Sequence, residues 1–206
     1  MKSNYDKSPF IEITGDCYEG WDVISSLIKN SFKNASKSRF VVAVESYQGV
    51  YHEELIQGFK QAEPDFFVHT DELLLAEDRI RGITFPDVTD DRLFGYMTRL
   101  QLSDLIDGRK VENIRRQIRE TSGMTVVYGY GASLVAEQPD VLVYADMARW
   151  EIQRRQRLHE VNNIGIRNKA EDAATQYKRG FFVDWRMCDR QKKKLFEKAD
   201  YWLDSH

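Results

Sequence analysis

Residues Arg39 to Leu55, RFVVAVESYQGVYHEEL, constrain the fold more than any other stretch of the chain. Phe40, Val41, Val42, Ala43 and Val44 form an apolar run without alternation, the pattern of a strand buried on both faces. A polar connector with one glycine follows, Glu45 to Gly49. Tyr51, Leu55, Ile56 and Phe59 then recur at the spacing of one helix face. A strand covered on both faces needs helices above and below it, so this stretch predicts an α/β domain with a mainly parallel sheet. Strand, short loop and helix are also the geometry that points backbone N–H groups and a helix N-terminus at a phosphate.

The side chains of a working phosphate loop are missing. The pattern G-x-x-x-x-G-K-[ST] supplies a lysine between the β- and γ-phosphates and a hydroxyl for magnesium. With Gly49 as the second glycine, Val44 stands at the first, Val50 at the lysine and Tyr51 at the hydroxyl, while Glu45 adds a negative charge. A degenerate loop is therefore expected, in which Ser46, Tyr47, Gln48 and Gly49 offer an anion no more than backbone amides. The stretch also fits any strand–loop–helix of an α/β domain.

Read in order, Phe10–Thr14 alternates like a short strand, and Asp16–Phe32 carries Trp21, Ile24, Ile28 and Phe32 at helical spacing. This strand–helix extension, residues 1–38, ends in the polar linker KNASKS before the main domain at 39–206. Glu63-Pro64-Asp65 predicts a turn and Phe66–Leu75 a buried strand, with Asp71 and Glu72 towards its end. Gly82–Val88 reads as a loop, and Asp90–Ile106 and Arg109–Glu120 as helices. Thr125–Tyr128 and Asp140–Asp146 read as buried strands. Gly129-Tyr130-Gly131 after the former lacks the third glycine of a dinucleotide fingerprint. Helices are expected at Met147–Val161, Ile166–Lys178 and Arg186–Ala199, a strand or buried turn at Gly180–Trp185 and a last strand at Asp200–Asp204.

A chain of 206 residues with 42% hydrophobic content can bury a core as one domain. Secretory n- and h-regions are absent, and no apolar run approaches the ~18 residues of a membrane span. Cys17 and Cys188 lie far apart and read as reduced thiols of a cytoplasmic protein. His52, His69, His159 and His206 share no metal-ligand spacing, so no metal site is expected. Ala148–Lys198 holds 14 Lys/Arg against 7 Asp/Glu in a chain of net charge −3, so a basic third sits on an acidic body. That suits an anionic small molecule or a set of solvated helices. The interspersed acids argue against nucleic acid.

The order of RFVVAVE, the Gly49 loop, the strand ending at Asp71-Glu72, TVVYGYGASL, DVLVYAD and RWEIQRRQR resembles the uridine-kinase branch of P-loop kinases. The resemblance implies a three-layer P-loop kinase-like fold and an arginine-rich lid helix closing on phosphates. On it, Arg149, Arg154, Arg155 and Arg157 would bind phosphate together with the Gly49 loop, and Asp71 would be the base of an active kinase. Tyr128 departs from it, standing where active relatives tend to have an acid. More narrowly, TVVYGYGASL, DMARWEIQRRQR and FFVDWRMCDRQKK are similar to the N-terminal domain preceding the cupin of long bacterial mannose-6-phosphate isomerase-like proteins. In that family zinc and the isomerase chemistry belong to the cupin, whose histidine and glutamate set does not occur in this chain.

The expectation is a non-catalytic, ligand-binding or regulatory domain of sugar metabolism. Its ligand would be a nucleotide or sugar phosphate, its partner a downstream enzyme domain following His206, and its assembly open to a homo-oligomer. The alternatives are an active ATP-dependent small-molecule kinase and a structural domain without ligand.

Overall fold

The computed structural model describes residues 9, 10, 12 and 14–206. Helix α1, Trp21–Ala35, precedes β1, Arg39–Ser46. After β1 come α2, His52–Lys60, and β2, Phe66–His69, which a single 3-10 turn at Thr70–Leu73 extends. Helices α3, Glu77–Val88, and α4, Gly108–Glu120, lead to β3, Gly123–Gly129. A short helix α5, Ala132–Val135, connects to β4, Val141–Asp146, and then to α6, Arg149–Arg157. Helices α7, Ala173–Arg179, and α8, Trp185–Leu195, precede β5, Tyr201–Asp204.

The five strands form one sheet in the order β2-β3-β1-β4-β5, and every neighbouring pair is parallel. β1 lies at its centre, paired with β3 and β4, and all its residues after Arg39 are buried. That is why the stretch reads as continuously apolar rather than alternating. The C-terminal ends of β1, β2 and β3 converge on one edge, where open parallel sheets place their ligand crevices. Helix α1 packs on α2: Trp21 meets Phe59 edge-on, and the Ser25 hydroxyl donates to the Gly58 carbonyl.

Five readings need correction. The strand expected at Phe66–Leu75 stops at His69, and the chain turns so that Asp71 leaves the sheet edge. Gly82–Val88, expected as a loop, is the second half of α3, with Pro86 inside it. Asp90–Ile106, expected as a helix, is irregular up to the 3-10 turn Leu102–Leu105. There the Asp91 carboxylate accepts from the Leu93 and Phe94 amides, while the Tyr96 and Thr98 amides donate to Asp87 and Phe182 carbonyls, so no helical ladder forms. Only Ala173–Arg179 of the expected Ile166–Lys178 helix is helical, started by the Asp172 side chain on the Ala174 and Thr175 amides. Gly180–Asp184 is neither strand nor turn but one π-helical turn that joins α7 to α8. The strand expected at 10–14 includes residues 11 and 13, which lie outside the described residues.

Candidate functional site

The loop from Ser46 to Tyr51 occupies the place at the end of β1 that a phosphate-binding loop would take, yet it is closed by the protein itself. Two of its amides already have partners. The Tyr47 N–H donates to the Ala145 carbonyl and the Val50 N–H to the Tyr47 carbonyl. Gln48, fully buried, donates from its side-chain amide to the Asn162 carbonyl and accepts from the Trp185 indole. Gly49 has φ +94°, and a Cβ there would lie 2.8 Å from the Ile152 side chain of α6. Ile152 thus stands against the loop where an anion nest would need open space.

The arginines of α6 are brought near this loop but do not converge on one point. Arg155 is 2% exposed, donates to the carbonyls of Gly49 and Ser205 and to Glu151, and stacks on Tyr51 with 3.7 Å between guanidinium and ring centre. It binds the loop through a carbonyl, and so neutralises an acceptor instead of offering a cation. Arg154 forks onto the two Glu151 oxygens at 2.7 Å each, and Arg149 pairs with Asp189 at 2.6 Å. Arg157 is exposed. The two arginines hold the Glu151 carboxyl down at about 2, Arg154 chiefly and Arg155 after it.

Beside the closed loop lies an open cleft of about 740 Å³. Its floor holds His52, the first residue of α2, His69, the last of β2, and Asp71 in the turn that follows. His52 Nδ1 and His69 Nε2 are 2.8 Å apart, and Asp71 Oδ2 lies 3.8 and 3.6 Å from them. The His69 ring lies flat on Tyr128, its register partner in β3, with centres 4.7 Å apart. Gly129, φ +114°, makes the approach possible, since a Cβ there would meet the Thr70 hydroxyl at 2.3 Å. Desolvation, and then repulsion from His69, holds the His52 imidazole down to about 3, so it is neutral at ordinary pH. Burial raises the Asp71 carboxyl from its ordinary value, opposed by His69 and aided by Glu72.

Glu53, Glu77 and Glu160 line the cleft with Asp71, against one arginine, Arg167. Asp71, expected towards the end of a strand, lies instead in the turn after β2 and lines the cleft. The two histidines were missed because 17 residues separate them and neither belongs to a ligand-spacing motif. The available signal was topological, since each stands at a junction on the same sheet edge.

Residues 20–206 match the family described as Domain of unknown function (DUF8485). The chain belongs to this family. No curated protein matches it. Among solved structures, a protein described as a fructose transport system kinase from Silicibacter sp. TM1040 is similar over 90% of this chain and 99% of its own, at 11% identity and a TM-score of 0.52. A shikimate kinase from Bacteroides thetaiotaomicron is similar over 81% of this chain and 86% of its own, at 13% identity and a TM-score of 0.44. With the parallel 2-3-1-4-5 sheet, the first of these places the DUF8485 chain in the P-loop kinase-like fold. At such identity the likeness concerns the fold alone.

Proposed function

We propose that this DUF8485 domain is a kinase-like fold that no longer transfers phosphate and instead binds a ligand in the His52–His69–Asp71 cleft. One observation carries the reading: the amides of Tyr47 and Val50 are hydrogen-bonded within the protein, and Ile152 stands against Gly49. A triphosphate would have to displace all of these while Val50 and Tyr51 contribute neither a lysine nor a magnesium hydroxyl. The cleft itself favours a cation or a neutral hydroxyl-rich molecule over a phosphate, because four carboxylates face one arginine there. The resemblance to a domain that precedes a cupin adds a regulatory or docking role beside a sugar-phosphate enzyme.

A second reading, an active small-molecule kinase, draws on Asp71 alone, which lines the cleft where an acceptor hydroxyl would lie. Coupled measurement of ADP release from magnesium–ATP, with hexoses, nucleosides and shikimate as acceptors, separates the two. The non-phosphorylating reading expects no acceptor-dependent ADP. Turnover that disappears in Asp71→Asn would establish the kinase instead.

A further inference from the structure

Three donor atoms of the cleft lie close together. Among the described residues this is the one place where three His, Cys, Asp or Glu side chains converge so closely. The separations of His52 Nδ1, His69 Nε2 and Asp71 Oδ2 are 2.8, 3.6 and 3.8 Å. A triangle with those sides has its equidistant centre inside it, about 2.0 Å from each atom, and zinc sits 2.0–2.2 Å from imidazole nitrogen and carboxylate oxygen. We propose that His52, His69 and Asp71 bind a divalent transition-metal ion, of which Zn²⁺ is the type, on the floor of the cleft.

The arrangement is that of a ligand set more than of a catalytic relay. In a relay a carboxylate holds one ring nitrogen while the other acts. Here Asp71 and His52 both face the same nitrogen of His69, Nε2. Without an ion, the 2.8 Å contact needs a hydrogen on one of the two nitrogens, and the carboxylate is left at 3.6 Å, beyond hydrogen-bond length. Two imidazoles with one carboxylate suit zinc or its neighbours in the transition series, and disfavour magnesium and calcium, which prefer oxygen alone. The supporting structure is rigid: His69 lies against Tyr128, His52 packs edge-on to His69, and Tyr130 covers His52 at 4.8 Å. Glu53 lines the same cleft and adds negative charge that favours a cation. All three side chains line the cleft, whose volume would leave a bound ion room for water or an oxygen-bearing ligand.

The proposal rests on the cleft as the binding site, and it stands whether or not magnesium–ATP binds elsewhere. Its test is a Zn²⁺ titration of the full chain, freed of metal by chelation, in competition with a chromophoric chelator, followed by Co²⁺ substitution. One Zn²⁺ per chain is expected, with visible Co²⁺ bands of a nitrogen–oxygen ligand set. His69→Ala and Asp71→Asn, both at partly exposed side chains, should each weaken Zn²⁺ at least about 10-fold. His159→Ala, outside the cleft, should leave it unchanged. Circular dichroism of each variant confirms that it is folded. Less than one equivalent bound, or folded His69→Ala and Asp71→Asn proteins that bind Zn²⁺ as the unaltered chain does, would overturn the site. So would an equal loss in His159→Ala, which marks binding by surface histidines. Acceptor-dependent ADP release from magnesium–ATP would refute the non-phosphorylating reading without touching this result.

Discussion

Replacing Arg155 by methionine tests whether α6 is a structural clamp on the loop or a free cationic lid. The guanidinium is 2% exposed and donates to the carbonyls of Gly49 and Ser205 and to Glu151. Methionine keeps most of the apolar stem and removes every donor. The Gly49 carbonyl is then buried without a partner, at a cost of about 1–3 kcal/mol, and the contact with Tyr51 loses about 2 kcal/mol more. Glu151 retains the fork from Arg154, which limits the loss. The expected destabilisation is about 3–5 kcal/mol, in the range for breaking a buried pair, or roughly 6–20 °C in melting temperature for a chain of this size. Arg154→Met is the control. Its side chain is 53% exposed, so its loss should cost far less than that of Arg155. Urea unfolding followed by far-ultraviolet circular dichroism measures both. If Arg155→Met falls within about 1 kcal/mol of the unaltered protein, or Arg154→Met costs as much, the clamp is refuted.

Three further outcomes are expected. Gly49→Ala, forced into φ +94° with its Cβ 2.8 Å from Ile152, should destabilise by about 2–4 kcal/mol by thermal or chemical melting, and a neutral effect would contradict the close packing. Glu151, held at about 2 by Arg154 and Arg155, has a folded pKa below its unfolded one. Its stabilisation is therefore full above about 4.5 and is lost as pH falls from there towards 2, so the acid limb of the stability curve should flatten in Glu151→Gln. The double change Val50→Lys with Tyr51→Ser, which would restore ATP binding to an open loop, should yield no measurable gain by calorimetry, because the Tyr47 amide remains engaged and Ile152 still stands against Gly49.

What the sequence disclosed follows from where it is periodic or continuous. RFVVAVES and DVLVYAD are legible because strands buried on both faces carry long apolar runs, here Phe40–Val44 and Val141–Ala145, and these two adjoin at the centre of the sheet. That Val50 and Tyr51 fit neither the lysine nor the hydroxyl of the phosphate-loop pattern is legible because that chemistry depends on residue type alone. Residues 90–101 were misread because Leu93, Met97 and Leu100 fall at helical spacing, while Asp91 and the Phe182 carbonyl draw the backbone bonds away. The arginines of α6 show the limit most plainly. Their spacing is visible in the sequence, but their partners, Asp189, Glu151 and the Gly49 carbonyl, are fixed by tertiary packing. The His52–His69 pair depends likewise on the β2–β3 register and on the space at Gly129.

The central claim is that the phosphate loop of this fold has become a closed joint, and titration calorimetry of the unaltered chain with magnesium–ATP addresses it most directly. Loss of the lysine and hydroxyl contacts removes about 1.5–3 kcal/mol each, or roughly 10- to 150-fold per contact in affinity, before the engaged amides are considered. The account predicts no magnesium-dependent heat of binding at micromolar nucleotide. A magnesium-dependent dissociation constant in the low micromolar range would contradict it.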